Sequence, residues 1–93
     1  MKRIPCPCCG YYTHKVEDAA EYPYEVFEIC DICFWQYEET SHDDPNKQSG
    51  GANGMLSLNE ARANYKKYGV CKTRHIGKGM TRSAFPEEIP ENN

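Results

Sequence analysis

Cys6-Pro7-Cys8-Cys9-Gly10-Tyr11 and Ile29-Cys30-Asp31-Ile32-Cys33-Phe34 are the stretches that decide how this 93-residue chain folds. Each contains a C-x-x-C pair, and twenty residues separate Cys9 from Cys30. A C-x-x-C turn brings two thiolates to one side of a tight loop. Two such loops facing each other enclose a tetrahedral sulfur cage, and the C-x2-C-x20-C-x2-C spacing lies at the edge of the range for structural zinc sites. Cys6, Cys9, Cys30 and Cys33 are therefore the candidate metal ligands, with one Zn2+ per chain as the expected cofactor. In the first loop Gly10 lets the chain turn back so that backbone N–H groups face a sulfur. The second has Phe34 at the corresponding place and must turn without a glycine.

The other cysteines and the histidines are surplus to a four-sulfur shell. Cys8 occupies the variable position of the first loop, where a reactive thiol is conceivable but a space-filling one is the simpler reading. Cys71 reads as a buried small hydrophobe. His14, His42 and His75 are expected at the surface. A complete sulfur shell leaves no vertex for a water molecule, so an enzyme is not expected. Asp43 and Asp44 read as solvated or capping carboxylates.

Composition supports a metal staple. The chain has two leucines and three valines against seven tyrosines, three phenylalanines and one tryptophan. A domain this small with so thin an aliphatic core often needs a staple, and structural zinc contributes on the order of 10 kcal/mol in finger-like peptides. Six cysteines also fit a disulfide-rich secreted protein. The start, Met1-Lys2-Arg3-Ile4-Pro5, has no apolar run behind its charges, however, and no stretch approaches a membrane span. A cytoplasmic location without membrane contact is the expectation.

Charge is segregated. Between Glu17 and Asp44 lie ten acidic residues and no Lys or Arg; between Arg62 and Arg82 lie seven basic residues and no acid. The net charge is −3, and a four-thiolate zinc would take it to about −5.

Along the chain, residues 4–16 read as a knuckle followed by a strand through Tyr11, Tyr12, Thr13 and Val16, and Glu17–Pro23 as a turn. Tyr24–Ile29 reads as a second strand and Phe34–Tyr37 as a short exit strand. Residues 38–54 form an acidic, then Gly-rich loop. A helix over about 58–68 has the clearest punctuation: Ser57 and Glu60 make an S-x-x-E capping box, Leu58, Ala61, Tyr65 and Tyr68 share a face, and Gly69 ends it. Residues 76–93 read as a partly flexible tail with Ile76 or Phe85 as docking residues.

These motifs resemble the bacterial cysteine-rich CPCC family. The likeness covers about residues 4–71: the Cys6-Pro7-Cys8-Cys9-Gly10-Tyr11 run, the segment Tyr24–Trp35, the block Gly50-Gly51-Ala52-Asn53-Gly54, and Ser57–Arg62 with Asn64-Tyr65. It implies a small zinc-ribbon-like protein and no settled activity. The acidic Gln36-Tyr37-Glu38-Glu39 run is less continuous than the family pattern. A weaker similarity to rubredoxins, which share C-x-x-C-G-Tyr, implies an iron electron carrier as an alternative.

The expected fold is thus a small α+β metal-stabilised domain with zinc-ribbon or rubredoxin-like knuckles, short antiparallel strands and one helix, residues 1–75 forming the domain. The expected function is a zinc-stabilised protein-interaction module. Its partner is another protein, met through Trp35, Tyr37 and loop 38–44, or through Asn53-Gly54, although Trp35 and Tyr37 read equally well as core. Nucleic-acid binding through Arg62, Lys66, Lys67, Lys72, Arg74, Lys78 and Arg82 is the other alternative, opposed by the acidic balance.

Overall fold

Both C-x-x-C loops close in the same way, and the fold is organised around that repetition. In the first, the Gly10 N–H donates to the Cys6 carbonyl at 2.9 Å and the Cys6 N–H to the Tyr11 carbonyl at 2.8 Å. In the second, Phe34 donates to Cys30 at 2.8 Å and Cys30 to Trp35 at 2.9 Å. The fifth residue of each loop is left-handed, with φ 83° at Gly10 and 69° at Phe34. A non-glycine residue there costs about 1–2 kcal/mol. Phe34 recovers part of this by packing its ring on the core and edge-on to His75, with centroids 5.4 Å apart.

The computed structural model describes residues 1–38, 43–79 and 81–90. Two antiparallel strands, β1 (Lys2–Ile4) and β2 (His14–Val16), flank the first loop in the register Ile4↔His14 and Lys2↔Val16. The helix, α1 (Leu58–Tyr68), follows in the second half of the chain. Short 3-10 turns occur at Gly51–Asn53, Thr73–His75 and Pro86–Glu88. This is a small α+β domain.

The strands are shorter than the sequence suggests. The Tyr11 carbonyl accepts from both Cys6 and Thr13, and the Tyr12 N–H donates to the Glu88 carbonyl at 2.8 Å, so residues 11–13 belong to turns. The expected strands at Tyr24–Ile29 and Phe34–Tyr37 reduce to one bridge, Ile29↔Gln36. Their β-propensity favours extended backbone, but a ladder requires a neighbour in register, and none lies beside Tyr24–Phe27 among the described residues.

The helix forms as its caps dictate. Ser57 Oγ accepts from the Glu60 N–H at 3.2 Å, and Glu60 Oε1 accepts from the Ser57 N–H at 3.1 Å. Gly69 ends it at φ 78°. Leu58 and Ala61 are buried and Tyr65 packs at the core edge, but Tyr68 points away, 41 % exposed. Arg62 Nε donates to the Pro7 carbonyl at 2.8 Å, and the Cys71 N–H donates to the Cys33 carbonyl at 2.8 Å. The helix and the chain leaving it are thereby tied to both loops.

The Gly-rich block is a second clamp. Asn53, 3 % exposed, mimics a strand partner: its Oδ1 accepts from the Gln36 N–H at 2.8 Å, and its Nδ2 donates to the Gln36 carbonyl at 2.9 Å. Gln36 Oε1 accepts in return from the Ala52 N–H at 3.0 Å. Gly51 has a φ of 55°, which strains a side chain, and a Cβ there would sit 2.7 Å from that oxygen and displace the Gln36 amide.

The last segment returns to the domain through Glu88, not through Ile76 or Phe85, which are 43 % and 50 % exposed. The Glu88 carboxylate is buried and bonded by both Arg82 guanidinium nitrogens at 2.7 Å and by the Phe85 N–H at 2.8 Å, with Arg3 at 3.7 Å. Arg82 also reaches Asp31 in the second loop at 3.6 Å. The Arg82 guanidinium holds the Glu88 carboxyl below the usual carboxylate range. Its folded pKa being depressed, the stability it contributes is present above the ordinary carboxylate pKa and is lost as pH falls through the depressed value. Glu88→Gln should therefore cost about 2 kcal/mol near neutral pH. In urea titrations the gap between the variant and the parent should close on acidification; a gap independent of pH would contradict this role.

Candidate metal centre

Cys6, Cys9, Cys30 and Cys33 converge so that their four sulfurs lie within 4.8 Å of one another. Close approaches run between the loops: Cys6 Sγ to Cys33 Sγ at 3.6 Å, and Cys9 Sγ to Cys30 Sγ at 3.7 Å. A tetrahedral ion with metal–sulfur bonds near 2.3 Å needs sulfur–sulfur edges of about 3.8 Å. The donor set fits a metal of that kind. It does not fit disulfides, whose sulfurs sit about 2.05 Å apart, and all six cysteines are free.

Four thiols in this space cannot ionise independently. Cys6 is driven far below the usual thiol range by S–H donation from Cys30, Cys33 and Cys9, and Cys30 falls to about 6, chiefly through Cys33. Cys9 and Cys33 are driven upward, each chiefly by Cys30. Mutual S–H donation thus pushes two of the four thiols downward and two upward. A divalent cation bound by Cys6, Cys9, Cys30 and Cys33 would let all four be thiolates. The Thr13 hydroxyl at 3.2 Å and the Ile32 N–H at 3.4 Å both donate to Cys30 Sγ and spread its charge.

Residues 4–88 match the family model described as "Cysteine-rich CPCC". The chain belongs to the cysteine-rich CPCC family. No curated protein and no solved structure matches it. The family match runs past Cys71 to Glu88, so the Arg82–Glu88 anchor lies within the CPCC region.

The remaining expected residues fall differently. Cys8 and Cys71 are buried in the core around the sulfurs and lie outside the four-sulfur group. Burial pushes the Cys71 thiol up to about 12, which makes it a poor nucleophile. His42 and most of the acidic loop 38–44 lie outside the described residues. Trp35 and Tyr37 are core residues, 0 % and 2 % exposed, and present no surface to a partner. Asn53 is buried against Gln36, which removes its side chain from any partner surface. His75 is half-buried against Phe34 instead of free at the surface.

His14 is the largest correction. It is 1 % exposed, edge-on to Tyr37 with ring centroids 5.1 Å apart, and near enough to Cys6 to add a minor push toward its thiolate beside the larger ones from Cys30, Cys33 and Cys9. Neither ring nitrogen has a hydrogen-bond partner of normal geometry among the described residues. Strand parity was the available signal: His14 and Val16 share a face of β2, and Val16 faces the core. With a polar ring beside the ligand sulfur, His14→Leu should weaken metal retention about 10- to 100-fold in chelator competition. Unchanged retention would make the ring a space-filler.

Proposed function

We propose that the chain is a protein-interaction module built around one structural zinc held by the thiolates of Cys6, Cys9, Cys30 and Cys33. The observation that carries this reading is the closed four-sulfur group at the centre of the core. Zinc favours soft tetrahedral donors and carries no redox chemistry of its own. Bound there it would supply folding free energy, and the thiolates would leave no vertex for a substrate or an activated water. A non-catalytic role follows from that closure. Free thiols throughout favour a reducing, cytoplasmic setting, and no helix among the described residues is long and apolar enough to cross a membrane.

The basic residues favour protein over nucleic acid as partner. Three of the seven basic residues are engaged within the domain, Arg62 with Pro7, Lys72 with the Ala52 carbonyl, and Arg82 with Glu88 and Asp31, which leaves Lys66, Lys67, Arg74 and Lys78 exposed. The test is saturable retention of proteins from a lysate by the immobilised zinc-loaded chain, with a flat titration against DNA and RNA at low salt. Absence of any saturable retention would overturn the module reading. A red protein that bleaches on reduction would replace it with the iron electron carrier.

A further inference from the structure

We propose that the open groove between β2 and residues 23–28 receives one extended, basic strand of a partner protein. This deepens the interaction-module reading and rests on it. The groove has a volume of about 590 Å³ and is walled by Lys15 and Val16 of β2 on one side and by Tyr24, Val26 and Phe27 on the other. The two walls are consecutive in the chain, joined through a turn in which the Ala20 N–H donates to the Glu17 carbonyl at 2.9 Å. They do not pair with each other. β2 has a strand partner on one edge only, β1, and the N–H groups of Tyr24–Phe27 have no hydrogen-bond partner among the described residues. β2 and the unpaired backbone of Tyr24–Phe27 thus flank a gap, which is the arrangement that strand addition completes. At the spacing of a β-sheet, a volume of this size holds roughly four residues of extended chain.

The lining states what chemistry those residues must carry. The apolar floor is formed by Val16 with the partly buried Ala20, Tyr24 and Val26, which pack with Ile4 and Tyr37 into the second of the two core clusters. The rim carries Glu17, Glu21, Glu25 and Glu28, all exposed and without ion pairs among the described residues, against Lys15 and the Met1 terminal amine, the latter paired with Asp18 at 3.2 Å. Lys2 is already engaged, bonded to the Ala20 carbonyl at 2.6 Å and lying over the Tyr24 ring. An occupant must therefore alternate apolar side chains, pointing at the floor, with Lys or Arg pointing at the glutamates. Phe27, 69 % exposed, stands at the end of the groove where an apolar residue of the incoming strand would cover it.

The test uses the full zinc-loaded chain and three labelled seven-residue peptides: alternating lysine and valine, alternating glutamate and valine, and the lysine–valine peptide N-methylated on one edge. Fluorescence anisotropy should show saturable binding of the first that weakens as salt is added. Binding should be at least tenfold weaker for each of the other two peptides, and for the first peptide with the E21K/E25K variant, whose changes are at exposed sites and leave the fold intact by circular dichroism. No binding of the lysine–valine peptide, equal binding of the glutamate peptide, or binding indifferent to E21K/E25K overturns the proposal. So does a dimer of the parent chain that E21K/E25K dissolves, which would give the groove to a second copy. If E21K/E25K retains the same lysate proteins as the parent, the groove assignment fails while the module reading stands; loss of all retention by the parent fails the module itself.

Discussion

Cys33→Ser should leave a chain that neither retains metal nor folds at 25 °C. Cys33 is fully buried, belongs to the four-sulfur group and lies 3.6 Å from Cys6 across the gap between the loops. A serine hydroxyl is a poor replacement for a thiolate at that vertex. Structural zinc contributes about 10–16 kcal/mol in small peptides, whereas a whole domain is stable by only about 5–15 kcal/mol. Losing most of the first figure exceeds what the rest of this core supplies, since five of its buried apolar residues are themselves cysteines. The expected result is a metal content far below one per chain and no cooperative thermal transition by circular dichroism. Cys71→Ser is the matched control. Cys71 is equally buried but outside the group, so it should cost about 1–2 kcal/mol and keep the full metal content. If both variants behave alike, the metal is not what organises the core.

Trp35→Ala should destabilise the domain by about 3–5 kcal/mol while leaving the four ligands in place. For a domain of this size that corresponds to a fall in Tm of roughly 15–30 °C. Trp35 is fully buried and packs in the same cluster as Cys6, Cys30, Cys33 and Leu58, so deleting it leaves a cavity beside the cage. The indole N–H has no partner among the described residues. Trp35→Phe, which removes that N–H and keeps most of the ring volume, should therefore cost much less, about 1 kcal/mol. Thermal melts of the three proteins with one metal per chain bound would check the order. A Trp35→Ala protein as stable as the parent would return the indole to the surface, where the sequence alone allowed it to be.

The parts of the fold legible in the sequence are those set by local chemistry. The two C-x-x-C loops could be read because ligand spacing fixes a turn whatever surrounds it. The helix could be read because Ser57, Glu60 and Gly69 satisfy its ends with neighbours three or four residues away. Long-range satisfaction was not legible. Nothing local to Tyr24–Ile29 says whether a second strand will lie beside it, and nothing near Asn53 says that its amide will serve Gln36 as a backbone substitute. Glu88 reads as one more acid in a polar tail until Arg82 and Arg3 are seen to enclose it. His14 escapes a sequence reading for a different reason: four sulfurs make it surplus as a ligand, and a surplus histidine is ordinarily placed in solvent. Its 1 % exposure shows that a histidine unnecessary as a ligand can still be buried in the core. Phe34 marks the opposite case, a visible departure from glycine that the loop absorbs at φ 69° without changing its hydrogen bonds.

The account rests on a single closed metal site, and X-ray absorption of the protein as purified tests it most directly. The account predicts a zinc edge, one zinc per chain, and a shell of four sulfurs at about 2.3 Å with no nitrogen or oxygen. Iron at that site, a lighter atom in the shell, or a protein that folds cooperatively with no metal would contradict it.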